Sequence, residues 1–65
     1  MTYNDILSRL RYMFDYSDAE MVAVFAAADH EVDKEQVSLW LSKEGDPLYE
    51  PLAGMDLAVF LNGLI

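Results

Sequence analysis

The residues best suited to acid–base or metal chemistry lie between positions 29 and 35. Asp29, Glu31, Asp33 and Glu35 alternate there, with His30 among them. Read as a calcium loop, Asp29, Glu31 and Asp33 fill the first, third and fifth ligand positions. The sixth position, which requires glycine, is Lys34, and the twelfth, which requires glutamate, is Trp40. The loop fails at both diagnostic places. One histidine with scattered carboxylates is also short of a transition-metal site. The segment reads as a solvated turn whose acids favour the N-terminus of the helix that follows. No metal and no cofactor are expected.

The catalytic inventory is equally thin. His30 is the one side chain ordinarily poised near neutral pH, and it stands among acids on a turn. Ser8, Ser17, Ser38 and Ser42 lack a recognisable base or a nucleophile-elbow setting. Gly45, Gly54 and Gly63 are too dispersed to cradle a phosphate. The reading is therefore non-enzymatic.

Nucleic-acid chemistry is the next candidate. The stretch from Ser17 to Lys43 has the helix, short turn and helix of a helix-turn-helix, whose second helix would enter the major groove by its N-terminal residues. Gln36 could read adenine there and Lys34 a phosphate or guanine. Asp29, Glu31, Asp33 and Glu35 crowd the same end, however, and the whole chain has four bases against twelve acids. Specific binders make about six to ten phosphate contacts. The pair of helices is expected to resemble the motif by packing alone, and nucleic acid is not an expected partner. A regulatory protein touching DNA as a multimer is kept as the alternative.

Four helical segments position these residues. Thr2 with Asp5, and Ser17 with Glu20, form capping boxes at the starts of the first two. The first helix runs from about Tyr3 to Phe14, with Ile6, Leu7, Leu10, Met13 and Phe14 on one apolar stripe. The second buries Met21, Val22, Phe25 and Ala28, carries Val24 on its flank, and ends at Asp29-His30-Glu31. Asp33 caps the third, with Gln36 as its expected reciprocal partner. Val37, Trp40 and Leu41 face inward, Lys43 falls in the last turn, and Gly45 lies beyond. A loop from Asp46-Pro47 to about Gly54 is pinned by Leu48, Tyr49 and Leu52. The last helix covers roughly Met55 to Leu64, with Leu57, Phe60, Leu61 and Leu64 inward. Trp40, Phe14, Phe25 and Phe60 are core by spacing, with Trp40 at the centre. Tyr3, Tyr12, Tyr16 and Tyr49 suit a domain edge. The sum is an all-α, compact four-to-five-helix domain over residues 1–65, with a helix-turn-helix-like pair in the middle.

Composition agrees. A 65-residue chain with 54% hydrophobic and 25% charged residues is globular rather than disordered. Such a domain buries about 60% of its unfolded surface, so its stability is small. There is no cysteine, which excludes disulfides and thiolate chemistry. No apolar run is long enough to span a membrane, and residues 1–20 lack the apolar stretch of a secretory signal. The net charge of −8 argues against anionic partners and toward a protein partner or a second copy of the chain.

Asn4-Asp5-Ile6-Leu7, Arg9-Leu10-Arg11-Tyr12, Gln36-Val37 with Trp40-Leu41, Lys43-Glu44 before Asp46-Pro47, and Phe60-Leu61-Asn62-Gly63-Leu64-Ile65 together resemble the YehS-like family of bacterial proteins. The resemblance covers residues 3 to 65 in order and register. It implies a cytoplasmic domain of unknown function, usually present as two tandem copies, with no established catalytic or binding residues to carry over. Three departures stand out. Asp29 replaces a frequent glycine, Ala53-Gly54 replaces a usual Ser or Asp cap, and one copy is present where two are usual.

Self-association follows as an expectation from the C-terminus. Leu64-Ile65 lies inside an apolar helical pattern with no basic or capping residue to close the last turn. An isologous dimer would cover that surface with itself. Phe60, Leu61, Leu64, Ile65 and Tyr16 are the candidate contacts, with Met13 and Phe14 as neighbours. The competing outcome is that Leu64 folds into the domain's own core and Ile65 frays.

Overall fold

The computed structural model describes residues 1–43 and 45–65, so Glu44, one of the residues of the family resemblance, lies outside it. Four helices account for its regular structure: α1 (Tyr3–Phe14), α2 (Asp18–Ala27), α3 (Lys34–Leu41) and α4 (Gly54–Gly63). No strand occurs among the described residues. The domain is all-α.

Both predicted capping boxes form. The Thr2 hydroxyl accepts from the Asp5 N–H at 3.1 Å while the Asp5 carboxylate accepts from the Thr2 N–H at 3.0 Å. Ser17 and Glu20 repeat the exchange at 3.2 and 3.0 Å. Each bond satisfies a helix-end donor that has no intrahelical partner. The backbone N–H that each carboxylate accepts holds Asp5 and Glu20 below the usual carboxylate range. The third cap is only half made. Asp33 accepts from the Gln36 N–H at 2.7 Å, but the Gln36 side chain does not reach back.

Helices α1 and α2 both end on an aspartate in the left-handed region, Asp15 at φ 55° and Asp29 at φ 61°. In each case the next residue's N–H reaches back five positions, Tyr16 to the Arg11 carbonyl and His30 to the Phe25 carbonyl, both at 3.1 Å. This is the bonding that a glycine usually supports; aspartate tolerates the conformation better than most other side chains. The third helix stops earlier than expected. Ser42 leaves the helical region and its hydroxyl donates to the Ser38 carbonyl at 2.9 Å, so Lys43 lies outside the helix. Ala53 precedes α4 without any side-chain cap.

The core consists of Leu7, Met21, Phe25, Val37, Trp40, Leu52, Leu57 and Phe60. Phe25 rather than Trp40 is its centre. Its ring lies 5.5 Å from Trp40 and 5.1 Å from Phe60, both in tilted aromatic contact. Helix α2 packs on α3 and α4, and α1 packs on the same pair. Gly63 sets the closest approach of α4 to α2. A Cβ there would lie 1.9 Å from the Val24 carbonyl oxygen, which is main chain and cannot swing aside.

Three expectations of burial fail. Leu61, expected inward on α4, is 43% exposed, because the core side of that turn is taken by Phe60 and Leu64. Met13 and Phe14 are 71% and 46% exposed, because the last turn of α1 extends past the core; Phe14 instead stacks on Tyr16 at 5.4 Å. Leu48 is also exposed and does not pin the loop. Leu52 does, together with Asn4. Asn4 is buried, and its Nδ2 donates to the Trp40 carbonyl at 2.9 Å and to the Glu50 carbonyl at 2.8 Å. Its Oδ1 accepts from the Leu52 N–H at 2.8 Å. One side chain in the first turn of α1 thereby ties down the end of α3 and the loop beyond it.

Candidate interaction surfaces

The residues expected at an interface separate into different places. Phe60 is fully buried and is removed from the candidates, because its ring fills the space between Phe25 and the rest of α4. Leu64 is half-buried and packs against the core. Leu61 and Ile65 are exposed, but Ile65 lies beyond the end of α4 at Gly63, so helical spacing does not bring the two together. Tyr16 is half-buried beneath Phe14.

The larger apolar exposure belongs to the last turn of α1. Tyr12 is 87% exposed, and Met13 and Phe14 follow it directly. The charges nearest in sequence are Arg9 and Arg11 against Asp15 and Asp18, so the surroundings are neutral in a chain of net charge −8. Arg11 and Asp18 form an ion pair at 3.8 Å, an exposed pair worth at most about 1 kcal/mol.

A second surface spans the connection between α2 and α3. On one side of Glu31-Val32-Asp33 lies an apolar hollow of about 460 Å³ lined by Val22, Ala26 and Val32. On the other lies a polar hollow of about 420 Å³, with Trp40 and Val32 in its wall and the carboxylates of Glu31, Asp33, Glu50 and Asp56 around it. His30 Nε2 stands 3.6 Å from Asp56 there. Gln36 lines the same hollow, and its Nε2 is buried without a hydrogen-bond partner. The amide nitrogen expected to be free to read a base is therefore turned into the protein.

Two of these features were not visible in the sequence. Asn4 carried a signal, being a polar residue three places before Leu7 on the buried side of α1. Glu50 and Asp56 carried none, since only the fold brings them beside Asp33.

Across the described residues no helix is long and apolar enough to cross a membrane. No solved structure matches the chain. The uncharacterized protein YehS of Escherichia coli (strain K12) is 35% identical over all 65 residues, and the chain spans 42% of its length. A family described as a protein of unknown function (DUF1456) matches residues 3–65. That span takes in the Asn4 clamp at one end and the Gly63 contact at the other, so the whole fold is shared territory. The chain belongs to this family of YehS-like proteins of unknown function.

Proposed function

We propose that the chain is a non-enzymatic protein-interaction module that pairs with a second copy of itself through the last turn of α1. The observation that carries the reading is the succession of Tyr12, Met13 and Phe14, all exposed on a helix whose inward face already completes the core. The neutral surroundings single out a second copy as the occupant. An isologous contact places this patch against itself, and the acids of the α2–α3 connection then stay away from the contact. Burying the exposed parts of these side chains on two copies contributes roughly 6–10 kcal/mol, set against an association cost of about 4 kcal/mol or more. The net of about 6 kcal/mol at most makes the expected pairing weak, with Kd in the range of about tens of micromolar to millimolar.

Sedimentation across a concentration series up to several hundred micromolar tests it. The wild type is expected to show a monomer–dimer equilibrium, and Met13→Glu to shift it to monomer by placing two carboxylates face to face. Met13 lies outside the core, so the substitution leaves folding intact. A wild type that stays monomeric throughout, or a dimer indifferent to Met13→Glu, overturns the reading.

A further inference from the structure

The two hollows flanking Glu31-Val32-Asp33 differ in chemistry and share those three residues. They form one continuous surface, apolar on the α2 side and acidic on the α4 side. We propose that this surface receives a short segment of another protein that presents an apolar side chain beside an arginine or lysine. The apolar side chain would settle against Val22, Ala26 and Val32, and the cation among Glu31, Glu50 and Asp56.

Charge and shape both select that occupant. Among the described residues no Lys or Arg lines either hollow, and His30 Nε2 stands 3.6 Å from Asp56. An anionic or neutral polar segment would leave the carboxylates unpaired. A cation alone would leave the apolar half exposed to water, and an apolar segment alone would leave the acids unanswered. The long-range field of a chain of charge −8 would also speed the approach of a basic partner.

This surface is separate from the α1 end that serves self-pairing. Neither hollow is lined by Tyr12, Met13 or Phe14, so different substitutions test the two proposals and they fail independently.

Nuclear magnetic resonance titration of the full chain with blocked synthetic peptides provides the test. One peptide carries leucine next to arginine, a second has the arginine replaced by glutamine, and a third has the leucine replaced by glycine. The first is expected to shift the amides of Val22, Ala26, Glu31 and Glu50, with an effect that weakens as salt is raised. The other two are expected to bind at least threefold more weakly. Glu50→Gln with Asp56→Asn should weaken the first peptide about three- to tenfold, and Ala26→Gln should weaken it by blocking the apolar half. These variants leave the Asp33 cap and the core untouched, and Met13→Glu should leave binding unchanged. Equal binding of all three peptides, shifts mapping elsewhere, or no binding at millimolar peptide overturns the proposal. So does saturation of the same amides by calcium or magnesium alone, which would make the surface a cation site, or shifts reproduced by raising the protein concentration without peptide, which would make it a self-contact.

Discussion

Replacing Asn4 with alanine is expected to remove much of the stability of this domain. The side chain makes three hydrogen bonds, to the Trp40 and Glu50 carbonyls and from the Leu52 N–H, at 2.8 to 2.9 Å. The orientation of its amide is unambiguous, because two carbonyls require donors and one N–H requires an acceptor. Asn4→Ala orphans all three main-chain groups in a buried or part-buried setting. A buried group left without a partner costs about 1–3 kcal/mol. The Glu50 carbonyl lies nearest to solvent and can recruit water, so the low end of that range applies to it. The sum is about 3–7 kcal/mol, against a total stability of roughly 3–10 kcal/mol for a chain of this length. At about 4–8 °C per kcal/mol for so small a domain, the melting temperature should fall by at least about 12 °C. Asn4→Asp is the sharper control. It keeps the shape and the acceptor for Leu52, but sets a buried carboxylate oxygen against two carbonyl oxygens, and should be at least as damaging. Far-ultraviolet circular dichroism melts and urea titrations at matched concentration measure both variants. An Asn4→Ala melt within about 4 °C of the parent, roughly 1 kcal/mol or less, would refute the assignment of this side chain as the clamp. Because Glu50 stands on the loop that Asn4 holds, a surviving Asn4→Ala domain should also lose the peptide response proposed for the acidic hollow.

Two further outcomes follow from the packing and the caps. Gly63→Ala places a Cβ 1.9 Å from the Val24 carbonyl oxygen, so α4 must move away from α2 at a cost of about 1–3 kcal/mol; an unchanged urea midpoint would show that the helices do not approach so closely. Asp5 and Glu20 are both held below the ordinary carboxylate range, first by the backbone N–H of Thr2 and Ser17 and then by the hydroxyls of the same residues. A depressed folded value adds stability above the unfolded value and loses it as pH falls through the folded one, so stability should decline below about pH 4. Asp5→Asn with Glu20→Gln should flatten that decline in pH-dependent melts, and a decline of unchanged steepness would count against the caps as its source.

What the sequence disclosed and what it withheld divide along a physical line. Local signals were readable because their partners lie three or four residues apart. The Thr2–Asp5 and Ser17–Glu20 boxes formed as written, and they placed the starts of α1 and α2. Periodicity found Leu7, Phe25, Val37, Trp40, Leu57 and Phe60 in the core. It misplaced Met13 and Phe14 because spacing reports which side of a helix a residue occupies and not whether another element reaches that far along the axis. The third helix ends at Leu41, about one turn short of its C-terminal signals, for a related reason. Lys43 and Gly45 suit a C-terminus, but the Ser42 hydroxyl turned back to the Ser38 carbonyl, a local competitor for the backbone that composition does not reveal. The Gln36 side chain does not complete the Asp33 cap, and its Nε2 is buried. The acidic hollow depends on contacts of high sequence separation. Asn4 meets Glu50 across 46 residues, and His30 meets Asp56 across the α2–α4 packing. Such pairs carry no spacing rule. The acidic alternation at 29–35 was conspicuous and by itself uninformative, because its meaning rests on the other wall of the hollow. That wall exists only because Asn4 holds the loop bearing Glu50 against α3, and because Gly63 lets α4 lie close enough to α2 for Asp56 to face His30.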